Sequence, residues 1–165
     1  MGRRYDPSPA ELDTARALFA YELNMFRAVT DAIFAPGLPH MVKNALLESA
    51  LVHVRNLHDF FVQRPSARDD VLAAYYVHGS GESWEPGDLE HVMSCQQDIN
   101  KSLSHLTFHR VVSKPQWHIG ELRREIESTY SSFVRALPPD ERTAWLVVCA
   151  IAPPGEEYPG GFYVS

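Results

Sequence analysis

The chain has 165 residues and a formal net charge of -6. It is long enough to bury a sizeable core, and too acidic for broad charge-driven binding to DNA or RNA. A hydrophobic share of 45% sets disorder aside, and no apolar run approaches the ~20 residues of a membrane-spanning helix. Arg3-Arg4 runs into Tyr5-Asp6-Pro7 with no apolar stretch behind it, so no signal peptide is expected. Cys95 and Cys149 stand far apart, a usage that fits a reducing cytoplasm better than a disulfide scaffold.

Ser8-Pro9-Ala10-Glu11 has the order of a helix start: a cap, a Pro at the first helical position and a Glu placed to reach back. Leu12, Phe19, Leu23, Phe26 and Ile33 then recur at helical spacing and predict a first helix over 8–35, ended by Pro36-Gly37. Pro39 opens a second helix over 39–64, which stops before Pro65. A short polar linker follows. The apolar run 71–77 reads as a helical turn or an extended piece, and 78–87 as a loop.

Asp88 caps a third helix over 88–112, with Leu89, Val92, Met93, Ile99, Leu103 and Leu106 inward. A fourth, over 118–137, carries the stripe Ile119, Leu122, Ile126, Tyr130, Phe133 and Leu137. Pro138-Pro139-Asp140-Glu141 starts a short last helix, and the Pro- and Gly-rich tail beyond it reads as extended. The expected fold is all-α and one domain over 1–165: a bundle of four long helices, short extra helices and an extended C-terminal tail. The second helix is apolar round most of its circumference, so it is expected at the centre.

That expectation makes its charges informative. Glu48, Arg55 and Asp59 share one stripe of the second helix, and Ser49, His53 and Asn56 share the next. A buried charge must be paired or used. The plain reading is a buried Glu48–Arg55–Asp59 network that fixes helix register, and the functional one is an anion or phosphate clamp. On the third helix Asp98, Lys101, His105 and His109 form another stripe. Facing the second helix, Lys101 and His109 would join the structural network, and His105 would act as a proton-transfer group near Arg55 or Asp59.

The spacing of His105 and His109 would let two imidazoles share a zinc ion from one helix. The zinc-protease pattern needs Glu after the first His, where this chain has Leu106. No metal and no cofactor are expected. Phosphate loops, serine elbows and Cys-x-x-Cys pairs are absent from the sequence. Cys149 reads as core, and Trp84, Trp117 and Trp145 as clamps for loops and termini. Arg123-Arg124 with Glu121, Glu125 and Glu127 reads as a solvated mixed-charge surface.

The run His53-Val54-Arg55-Asn56-Leu57-His58-Asp59-Phe60-Phe61, with Asp69–Ala73 and Asn100–Thr107, resembles small bacterial helical proteins and, through them, the HEPN (higher eukaryotes and prokaryotes nucleotide-binding) superfamily. The resemblance covers about the middle third of the chain. It implies a central-helix Arg-Asn dipeptide, here Arg55-Asn56, and subunits that pair their sites. Its ribonuclease members follow the Arg with a His on the same helix. Here those positions hold Phe60, Phe61 and Val62, and His58 comes too early. A catalytic set would therefore be Arg55, Asn56 and His105, the last from another helix. Two functions are expected from these residues: a non-catalytic binding or dimerisation module, or an RNA-cleaving or nucleotide-binding protein of a toxin or phage-defence system. A homodimer fits both.

Overall fold

Ser8 starts the first helix as its sequence requires. Its Oγ accepts from the Glu11 backbone N–H at 3.3 Å, and Glu11 Oε2 accepts from Ser8 N–H at 2.7 Å. This reciprocal box satisfies two donors that a helix end leaves open. In this computed structural model, which describes residues 5–64, 68–77, 84–102 and 116–150 (side chains at 97 and 100–102 excepted), the resulting helix α1 spans Pro9–Ala32. The chain then turns through Gly37 at φ 77°, a left-handed conformation that suits Gly, into α2, His40–Val62.

Among the described residues four further helices follow: α3 (Ala74–Val77), α4 (Glu90–Ser102), α5 (Ile119–Ala136) and α6 (Pro139–Val148). The protein is all-α. Among the described residues there is no strand, and no helix is long and apolar enough to cross a membrane. The apolar run over 71–77 resolves as an approach segment plus the single turn of α3, pinned to α2 by Ala73 N–H donating to Phe60 O at 2.9 Å. The expected third helix appears as α4 to Ser102. Its continuation over 103–112 and the C-terminal tail lie outside the described residues.

α1 and α2 pack along each other, α5 lies against α1, α2, α4 and α6, and α4 also packs on α2. Leu23 and Phe26 of α1, Leu51, Val54 and Leu57 of α2, and Leu122, Ile126 and Phe133 of α5 are all fully buried. Each such side chain is worth roughly 1.5–3 kcal/mol of burial. At α4, Leu89, Val92 and Ile99 face inward as their spacing predicts, but Met93, expected with them, is 59% exposed: it lies one position from Val92 and so falls off the buried stripe.

Trp145 of α6 is fully buried among rings from other helices. Its ring centre lies 5.1 Å from Phe19, 4.8 Å from Tyr76 and 4.8 Å from Phe133, all edge-on. The expected clamp is thus a core residue that fastens α6 to the rest of the fold. Trp84 is the looser clamp, donating from Nε1 to Ser132 Oγ at 2.8 Å.

One expectation about α2 changes. The helix is not enclosed all round. Met41, Ala45, Glu48, Val52, Arg55 and Asn56 form a continuous exposed face, with Met41 82% and Val52 48% exposed. Leu51, Val54, Leu57, Phe60 and Phe61 already anchor the opposite side. Glu48 and Arg55 therefore stay in water, where they avoid the cost of desolvation.

Candidate functional site

The expected buried network of Glu48, Arg55 and Asp59 does not form. Glu48 and Arg55 are exposed, and among the described residues Arg55 makes no ion pair. Asp59, half-buried, turns instead to α4. His58 Nδ1 lies 3.1 Å from Asp59 Oδ1, and Gln96 Nε2 donates to the same oxygen at 3.3 Å. Burial pushes the Asp59 carboxyl up, but hydrogen bonds from His58 and Gln63, with the nearby charges of His58 and Arg55, outweigh it and hold the group below its usual range.

Arg55 and Asn56, the two residues carried by the HEPN resemblance, stand side by side on the exposed face of α2. Beside them the structure assembles a cluster that the sequence did not join. Glu22 of α1 sits across from α2. Its Oε2 lies 2.7 Å from His53 Nδ1 and accepts from Asn56 Nδ2 at 3.1 Å. His53 is buried, and Tyr21 meets its ring edge-on at 6.1 Å. A carboxylate on Nδ1 fixes the tautomer and leaves Nε2 as the available nitrogen. His58, five positions on, faces α4 instead, as the helical spacing requires.

His105 and His109 lie outside the described residues, as does the side chain of Lys101, and Asp98 has its own partner. Among the described residues no three His, Cys, Asp or Glu side chains are grouped to hold a metal. Both cysteines are buried and free. Burial pushes the Cys95 thiol up, and that of Cys149 to about 11, so neither offers a ready thiolate.

The mixed-charge stretch of α5 is only partly a surface. Arg124 pairs with Glu121 in solvent, and Arg123 reaches Asp31 of α1. Glu127 takes a two-pronged bond from Arg27 at 2.6 and 2.7 Å, and Arg27 also donates to the Cys149 carbonyl at 2.9 Å. Glu125 is buried at 6% exposure. Its carboxylate accepts the backbone N–H groups of His91 and Val92, each at 3.1 Å, and the His91 ring at 2.6 Å. It thereby caps the first turn of α4 from another helix. A helical wheel places Glu125 on its face, but it cannot show that the neighbour across that face is a helix end in need of an acceptor.

No family model matches the chain, and comparison with curated proteins and with solved structures likewise finds no match.

Proposed function

We propose that this chain is a non-catalytic helical module, a bundle built on α1, α2, α4 and α5, that pairs with a second copy through the outer face of α2. The observation that carries the reading is Arg55, exposed and without an ion pair among the described residues, on the same face as exposed Glu48 with half-exposed Val52 between them. An antiparallel crossing of two α2 helices at Val52 sets Arg55 of each copy against Glu48 of the other. A two-fold interface is self-complementary in this way. Such a pairing would also cover Met41 with the partner's last helical turn. The two buried free thiols support a reducing, cytoplasmic setting.

Sedimentation equilibrium tests the pairing. The expected result is a dimer that Arg55→Glu weakens by roughly tenfold or more, and that Glu48→Arg combined with Arg55→Glu restores. A monomer at micromolar concentration, or a dimer indifferent to Arg55→Glu, overturns it.

A second reading, an HEPN-like RNA-cleaving or nucleotide-binding protein, is favoured by a different observation: Arg55 and Asn56 are open to solvent beside His53, whose ring Glu22 orients. Arg55 would hold phosphate, Asn56 would position it, and His53 or His105 would move a proton. Labelled RNA that stays intact with the wild-type protein, as it does with Arg55→Ala, counts against this reading and leaves the dimer unaffected.

A further inference from the structure

A cleft of about 390 Å³ opens between the start of α1 and the segment leading to α3, remote in sequence from the α2 face discussed above. Its walls are largely apolar, with Leu12, Ala15, Leu18 and Val71 among them, and Leu18 is 50% exposed there. Two phenols tie the cleft together. Tyr5 Oη donates to Glu11 Oε1 at 2.7 Å, and Tyr75 Oη donates to the Tyr5 carbonyl at 3.4 Å. The cleft therefore exists before any ligand arrives, as small-molecule sites commonly do.

The charged groups that line it, Glu11, Asp69 and Asp70, are all of one sign. Glu11 is occupied by Ser8 and Tyr5, whose hydrogen bonds hold its carboxyl down to about 2; it contributes a negative field rather than a free acceptor. Asp69 and Asp70 also line the cleft. Both are exposed, and neither has a hydrogen-bond or ion-pair partner among the described residues. Each class of ligand meets these walls differently. An anion is repelled. A hydrated divalent cation gains nothing from Leu18 or Val71. A neutral apolar molecule would strip water from the Asp carboxylates with no compensating partner. A cation attached to an apolar body satisfies both surfaces at once.

We propose that this cleft binds an organic ammonium compound, its cationic head held by Asp69 and Asp70 and its apolar or aromatic body laid against Leu12, Leu18 and Val71. Calorimetric titration of the full chain with tryptamine, its neutral alcohol analogue tryptophol and its anionic analogue indolepropionate tests the assignment. The expected result is saturable tryptamine binding, roughly tenfold weaker tryptophol binding and no indolepropionate binding. Asp69→Asn combined with Asp70→Asn removes the preference for tryptamine and leaves the circular dichroism unchanged, because both side chains are exposed. Leu18→Ser weakens tryptamine and tryptophol alike. No saturable tryptamine binding, equal affinity for the amine and the alcohol, or an undiminished amine preference in the double variant overturns the proposal.

Discussion

Glu125 shows how much one buried carboxylate does when every oxygen is used. Its three donors include two backbone N–H groups of α4 that would otherwise face the core unpaired. Truncation removes the acceptor and strands those donors, so Glu125→Ala should cost roughly 2–4 kcal/mol in urea unfolding. Glu125→Gln, which keeps one acceptor oxygen, should cost less. His91 adds a pH dependence. Its hydrogen bond to Glu125 outweighs the opposing effect of burial and, with the charges of Glu125, Glu121 and Glu90, raises its pKa. His118, whose ring lies 6.1 Å away, is the other titratable group beside it. A raised histidine stabilises the fold fully below its unfolded value of about 6.5 and loses that contribution as pH climbs through the folded value. The stability gap between wild type and His91→Gln, measured by urea titration, should therefore be widest in mild acid and shrink toward alkaline pH. A gap that stays constant with pH would mean that the pair gains nothing from charge.

At the scale of the elements, hydrophobic period carried the reading. The stripe Ile119, Leu122, Ile126, Phe133 predicts α5 because few other arrangements hide those side chains together, and Ser8 with Glu11 predicts the start of α1 because both partners of the cap lie within one turn. What the sequence hid are contacts whose two halves lie on different helices. Glu22 reaches His53 and Asn56, Arg27 reaches Glu127 and the end of α6, and Glu125 reaches the start of α4. Periodicity names a face without naming its neighbour. The same blindness explains the error on α2. Ala45 and Val52 give it an apolar residue on the side that carries Arg55, yet that side is open to water. One well-filled side is enough to anchor a helix, and scattered exposed apolar residues are ordinary.

At the scale of the whole molecule, the aromatic cluster around Trp145 joins α1, α2, α3, α5 and α6. Trp145→Ala should remove roughly 3–5 kcal/mol in thermal or chemical unfolding. Trp145→Phe should cost distinctly less. It keeps most of the ring contacts, and it deletes an indole N–H that is buried without an acceptor among the described residues.

The cap on α4 also sets an order of events. A helix that carries its own cap can form early and alone, as α1 can. Asp88 Oδ1 accepts from the Glu90 N–H of α4 at 3.2 Å, but the next two amides take their acceptor from Glu125, 34 positions beyond His91, so they gain that support only after α5 has docked. Hydrogen exchange should register this as cooperativity. The amides of His91 and Val92 should open together with α5 rather than fray one by one, and in Glu125→Ala they should exchange quickly while the amides in the centre of α5 stay protected.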